Sequence, residues 1–227
     1  MPIRQLIFDL DETLYPRGTG IMPAIGARIR RYITEVYGLT PAEADALALR
    51  YFREYGTSMR GLYLHNDLDT ERFLHYVHDF PLDTLLDVNP ALDALLRAIP
   101  LPKAIFTNAS QMHAVRILDR LGIREHFSQI VDVKAVGFIS KPDLRAYTTC
   151  AQLLGVQPDA CVLIEDTGRN LPPAAALGMV TVLVDGDPAA PADYRIATIL
   201  DLPAVLAQIC EQRGCAVSEP APLSPQL

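Results

Sequence analysis

The stretch Phe8-Asp9-Leu10-Asp11-Glu12-Thr13 closes the apolar run that begins at Ile3. Leu6, Ile7 and Phe8 leave no polar position for a solvated face, so the run reads as a buried strand. Two carboxylates then stand one residue apart where that strand ends. In an open α/β sheet the carboxyl end of a strand is where ligands bind. Residues i and i+2 of extended backbone share a face, so Asp9 and Asp11 can address one small volume. Carboxylates held that close repel unless a cation or a proton lies between them. One reading is a Mg²⁺-assisted site with one carboxylate as nucleophile and the other as acid/base. The other is a strand-end turn with Asp11 capping local backbone, since Asp is common in turns. This stretch alone does not choose between them.

Outward from it, Tyr15-Pro16-Arg17-Gly18 breaks regular structure. The periodicity predicts a helix from about Pro23 to Tyr37, with Ile25, Ile29, Tyr32, Ile33 and Val36 on one face and Gly38 at its end. Thr40-Pro41-Ala42-Glu43 opens a second helix with a capping box and Pro at its first position, running to about Tyr55. A Gly-containing connector, Arg60 to Asn66, leads to a third helical pattern from about Thr70 to His78. Together these form a helical insert beside the carboxyl end of the first strand. From Asn89 onward helix and strand alternate, which predicts a parallel sheet. The strands are Lys103 to Phe106, Phe127 to Val133, Cys161 to Ile164 and Val180 to Val184. Helices are expected after Asn89, after Ser110, from Lys141-Pro142 and from Asn170 to Leu177.

Polar residues fall at the ends of these strands: Asp9 and Asp11, Thr107 and Asn108, Glu165 and Asp166. Lys141 opens a helix nearby in the chain. If the strands are parallel neighbours, all these groups converge at one sheet edge. A hydroxyl, a cation and two pairs of carboxylates around Mg²⁺ suit a phosphoryl group. Each residue also has an ordinary reading: Thr107 as a strand Thr, Asn108 or Ser110 as a cap, Lys141 as a solvated first-turn residue, Glu165-Asp166 as an acidic turn. Their joint placement is what argues for a site.

Other chemistries fit less well. The five His residues show neither HExxH spacing nor a GxSxG partner, and His75 with His78 reads as one face of a surface helix. No GxxxxGK[ST] phosphate loop is present. An EF-hand reading fails because Leu14 stands where Gly is required. A formal charge of −7 argues against a nucleic-acid surface. Cys150, Cys161, Cys210 and Cys215 show no CxxC pairing and no zinc spacing. With no signal-like start and no run of membrane-spanning length, a cytoplasmic, soluble protein is expected.

Asp9-Leu10-Asp11-Glu12-Thr13, Thr107-Asn108, Lys141-Pro142 and Glu165-Asp166 resemble, in order, the four motifs of the haloacid dehalogenase (HAD) phosphohydrolase superfamily. The resemblance implies an α/β fold: a Rossmann-like core of parallel sheet, strand order 5-4-1-2-3, with a helical cap inserted after the first motif. Residues 1–15 and 84–215 are then the core, 16–83 the cap and 216–227 a disordered tail. It further implies Asp9 as nucleophile and Asp11 as acid/base. Mg²⁺ is expected on Asp9, the Asp11 main-chain carbonyl and Asp166, with Glu165 orienting a metal-bound water or binding directly. Lys141, Thr107 and the Asn108 N–H are expected on the phosphate.

Thr13-Leu14-Tyr15-Pro16, Tyr55-Gly56 to Gly61-Leu62, and His75-Tyr76-Val77-His78-Asp79 are similar to the pyrimidine 5′-nucleotidase branch. Phe106-Thr107-Asn108-Ala109 with His113 adds to this, while Glu165 departs from that branch's usual Asp. Arg60, Tyr63 and His65 are then expected to read the leaving group of a nucleoside monophosphate. The alternatives are a sugar phosphate or phosphoglycolate phosphatase, a 2-haloacid dehalogenase and a non-catalytic binding protein. The expected partner is a small phosphorylated metabolite, with neither a nucleic acid polymer nor a membrane, as monomer or homodimer.

Overall fold

The computed structural model describes residues 1–215. In chain order it contains β1 (Gln5–Phe8), α1 (Ile21–Tyr37), α2 (Pro41–Tyr55), α3 (Ser58–His65), α4 (Thr70–His78), α5 (Pro90–Ala98), β2 (Lys103–Phe106) and α6 (Gln111–Leu121). β3 (Gln129–Val131), α7 (Leu144–Leu154), β4 (Cys161–Glu165), α8 (Leu171–Ala176), β5 (Val180–Val184), β6 (Tyr194–Ile196) and α9 (Leu202–Arg213) follow. The expected tail, 216–227, lies outside the described residues.

The six strands form one parallel sheet in the order β3-β2-β1-β4-β5-β6. The α/β class and the five-strand order read from the sequence are therefore present. A sixth strand is added at the β5 edge, with Val182 opposite Tyr194. At three residues with Arg195 in the middle, β6 is too short to carry a period.

Period-two alternation explains the unbroken apolar runs. Leu6 and Phe8 join Ile105, Val162 and Ile164 in the core under α5, α6 and α9. Ile7, between them, joins Phe106 and Leu163 against Tyr147 of α7 and Leu171 of α8. Both faces are covered, so β1 is apolar from Leu6 to Phe8, and its one polar residue, Gln5, is buried at the strand's start with its side chain donating to Leu6 O. Helices α1 to α4 share a separate cluster around Tyr32, Ile33, Tyr51, Leu62 and Phe73. The insert is not packed separately at its ends, because Ile21, Ile25, Phe80 and Leu82 belong to the sheet's core.

Three local readings are corrected, and one cysteine pairing is added. Residues 60–66 are not a connector: α3 is a helix capped by Thr57, whose hydroxyl accepts from Arg60 N at 3.1 Å. Its Gly61 hides the period because the position faces the Tyr51 ring, where a larger side chain would not fit. Lys141-Pro142 does not open α7, which begins at Leu144 with Asp143 as its cap; the pair forms a loop with a cis peptide. β3 covers less of the apolar run than Phe127 to Val133, since only 129–131 pair with β2. Finally, Cys210 and Cys215 form a disulfide, Cα–Cα 4.9 Å. Gly214, at φ 75°, turns the chain back after α9 and brings the two together.

Gly61→Ala tests the insert's packing. Ala is favoured over Gly in a helix by about 1 kcal/mol, but a Cβ here would stand 2.1 Å from Tyr51 Cγ. Overpacking typically costs about 1–3 kcal/mol. Tyr51 is held by its core and by Asn66 Oδ1, which accepts from its hydroxyl at 2.8 Å. The clash should win, and a thermal melt should show a lower Tm; an unchanged or higher Tm would mean that Tyr51 can swing clear.

Candidate active site

β1, β2 and β4 are adjacent and parallel, so the residues after them share one edge of the sheet. Asp9 follows β1, its N–H donating to Ile164 O at 2.9 Å; Thr107 follows β2, its N–H donating to Val131 O at 3.0 Å. Glu165 ends β4, with Asp166 next. Lys141 reaches into this group from the loop before α7. Its Nζ donates to Asp9 Oδ1 and Glu165 Oε2, both at 2.7 Å, and to Phe106 O at 3.0 Å. Asn108 sets that loop by accepting from Lys141 N at 2.8 Å and donating to Lys141 O at 3.2 Å. Its side chain is thereby committed to the backbone of Lys141.

Carboxylate oxygens of Asp9, Glu165 and Asp166 lie within 4.8 Å of one another, all three residues buried. Burial, and then Glu165, push Asp9 up to about 7 against the pull of Lys141. Burial and then Asp9 push Asp166 up to about 6, and burial raises Glu165 as well. Lys141 is itself disfavoured as a cation by burial, but Asp9 and Glu165 outweigh this and raise its pKa, so it stays charged. Arg17 also neutralises part of the cluster, pairing with Asp166 and, at 3.0 Å, with Glu12. A buried trio of hard oxygen donors with raised pKa values is chemically suited to a small divalent cation such as Mg²⁺.

The Asp11 side chain lies apart from this trio. Its Oδ1 accepts from Tyr15 OH at 2.6 Å and is hydrogen-bonded to His113 Nε2 at 2.9 Å. Burial would raise Asp11, but His113 and Tyr15 together bring it below the usual carboxylate value. His113 stacks on His78, ring centroids 4.4 Å apart, and His78 Nδ1 bonds Ser110 Oγ at 3.1 Å. Burial, then His113, push His78 down to about 3, which leaves it neutral at physiological pH. The surface reading of His78 is thus corrected: it is 4 % exposed, whereas His75, three residues earlier, is exposed.

Arg60, Tyr63 and His65 do not come to this place. Ser58, Met59, Gly61 and Leu62 form the inner face of α3, so helical geometry turns the three expected residues away from it. Arg60 donates to Phe138 O at 3.2 Å and lies over Tyr63, which packs on Phe138. His65 bonds Tyr55 OH at 2.7 Å. A cavity of about 160 Å³ beside Asp11 is lined instead by Thr57, Ser58 and Met59 among others. The residues that sequence reasoning missed at this place are Tyr15, Arg17 and the His78–His113 stack. The TLYP stretch and the His after the TNA stretch were the available signals.

A parallel sheet that carries clustered carboxylates and a lysine at its carboxyl edge, beneath inserted helices, defines a hydrolase of the α/β class. Residues 3–178 match the haloacid dehalogenase-like hydrolase family, and the chain belongs to it. It is 36 % identical over 201 residues to a phosphoglycolate phosphatase of Chromobacterium violaceum, covering 80 % of this chain and 85 % of that one. It is 27 % identical over 201 residues to Phosphate metabolism protein 8 of Saccharomyces cerevisiae, covering 80 % of this chain and 62 % of the yeast protein's length. Among solved structures, a HAD phosphatase from Thermococcus onnurineus superposes with a TM-score of 0.60 at 22 % identity, covering 90 % of this chain and 98 % of that one. No helix among the described residues is long and apolar enough to cross a membrane.

Removing one partner of a buried ion pair costs about 3–5 kcal/mol, because the other charge is left unpaired. Lys141→Met should lower stability to urea by that order in the absence of divalent cations. Adding Glu165→Gln to it should recover part of the loss. Losses that simply add would show that Lys141 and Glu165 are not coupled.

Proposed function

We propose that the chain is a Mg²⁺-assisted phosphomonoester hydrolase that acts on a small phosphorylated metabolite, with Asp9 as nucleophile. The observation that carries this reading is the division of labour between two nearby carboxylates. Asp9 is gathered with Lys141, Glu165 and Asp166, while Asp11 is held apart by Tyr15 and His113 beside a cavity. Residues 1–15 and 84–215 act as the catalytic core, and 16–83 as a cap over it. The cap's terminal residues Ile21, Ile25, Phe80 and Leu82 anchor it in the core.

Asp9 attacks phosphorus and forms an aspartyl-phosphate as the ester oxygen leaves. Asp11 gives that oxygen a proton, then takes one from the water that hydrolyses the acyl phosphate. Lys141, Thr107 and the Asn108 N–H hold the phosphate oxygens. Asp9, Asp166 and the Asp11 carbonyl would hold Mg²⁺, with Glu165 beside it; the ion supplies neutralisation of charge on the transferred group. Tyr15 and His113 both engage Asp11 Oδ1 and so leave Oδ2 for proton transfer.

The nucleotidase reading came from the stretches 13–16, 55–62 and 75–79, and the residues it placed at the leaving group, Arg60, Tyr63 and His65, face elsewhere. The name of the Chromobacterium relative favours the broader class of small-metabolite phosphatases, and phosphoglycolate is the substrate to test first, with sugar phosphates beside it. Asp11, two residues after the nucleophile, argues against a dehalogenase.

Asp9→Asn is nearly isosteric and should keep the fold by circular dichroism while abolishing phosphate release; EDTA should do the same to the unaltered protein. Turnover in either case would remove the reading. Asp11→Asn should slow alkyl phosphates about 10²–10⁴-fold and aryl phosphates, with their better leaving groups, far less. Equal losses on the two classes would deny Asp11 its proton-transfer role.

A further inference from the structure

The cavity beside Asp11 lies between the sheet edge and the inserted helices. At about 160 Å³ it is close to the apolar cavity of about 150 Å³ that accommodates a benzene molecule in another protein. Its wall is made chiefly by Ile25, Ile29, Met59, Phe73, Leu74 and Val77. Of the polar residues that reach it, Thr57, Asn108 and His78 are already engaged within the protein, and Ser58 offers one neutral hydroxyl. Thr57 Oγ1 bonds Ser140 Oγ at 2.9 Å, Asn108 holds Lys141, and His78 bonds Ser110 and is uncharged. No Lys or Arg lines it among the described residues, and its one formal charge is the carboxylate of Asp11. Guanidiniums of neighbouring segments are committed elsewhere: Arg17 to Asp166 and Glu12, Arg169 to the carbonyls of Phe52 and Gly56, and Arg116 to those of His78 and Phe80.

Building on the phosphatase reading above, we propose that this cavity receives the leaving group, and that the leaving group is a small uncharged alcohol with a hydrocarbon or ring body. A carboxylate entering the cavity would lose its hydration, gain no cationic partner and face Asp11. Phosphoglycolate is therefore a poor substrate for this chain, despite the name of its Chromobacterium relative. A nucleoside is too large for the space. Within the family's chemistry the selectivity arises here from charge exclusion and volume.

Benzyl phosphate, phosphoglycolate and UMP all expel an alkoxide, so they separate cavity fit from leaving-group reactivity. With Mg²⁺ present, kcat/KM for benzyl phosphate should exceed that for each of the other two by about tenfold or more. Equal or better turnover of phosphoglycolate or of UMP would overturn the proposal while leaving the phosphatase reading intact. No phosphate release from any of them, or from p-nitrophenyl phosphate, would remove that reading and the proposal with it. Met22→Lys supplies the missing cation at a wall position 41 % exposed, where the fold should tolerate it. This variant should raise the ratio of phosphoglycolate to benzyl phosphate turnover about tenfold, the scale of one added charge pair. An unchanged ratio, with the melting temperature retained, would show that charge at the wall does not set the preference.

Discussion

The ammonium of Lys141, buried between the carboxylates of Asp9 and Glu165, is the interaction on which the site depends. It joins the loop before α7 to the ends of two neighbouring strands through bonds of 2.7 Å. Charges are rarely buried because desolvation opposes them. Here one cation answers two carboxylates, and Phe106 O takes a further N–H. Asn108 completes the arrangement by gripping the Lys141 backbone on both sides. β1, β2, β4 and the Lys141 loop are thereby tied together at the edge where the chemistry is proposed.

The inserted helices are fastened to the same loop. Gly56, at the end of α2, packs so closely that a Cβ would stand 2.1 Å from Lys141 O. Its φ of 89° also favours glycine. Arg169, just after the Glu165-Asp166 turn, donates to Phe52 O at 2.9 Å and Gly56 O at 2.6 Å, and Thr57 bonds Ser140. Movement of the insert would therefore be felt at Lys141 through a few short contacts. The cavity beside Asp11 is bounded by the same two bodies, so its size follows from how they close.

Asp9 and Asp11 are two residues apart, yet their surroundings pull their pKa values in opposite directions. Burial and Glu165 raise the first, while His113 and Tyr15 lower the second. These directions are the reverse of what a nucleophile and a proton donor need: Mg²⁺ at Asp9 would hold it as the carboxylate, and Asp11 would have to gain its proton against the pull of His113 and Tyr15. The divergence depends on His113, which is distant from Asp11 in the chain and arrives on α6.

The sequence by itself determined the sheet and the edge at which polar groups gather. Leu6, Ile7 and Phe8 had to be covered on both faces, and Asp9, Thr107, Glu165 and Asp166 each stop an apolar strand. Those are local facts, and parallel pairing turns them into one site. What only the tertiary structure decided was direction. Whether Arg60, Tyr63 and His65 faced the cavity depended on how α3 packs against Tyr51, which neighbouring residues in the chain do not encode. His78 and His113 became a buried stack because α4 ends beside α6, and Cys215 met Cys210 because the chain doubles back at Gly214. Burial of a strand is written in its own composition, whereas the facing of a helix residue is set by partners distant in the chain.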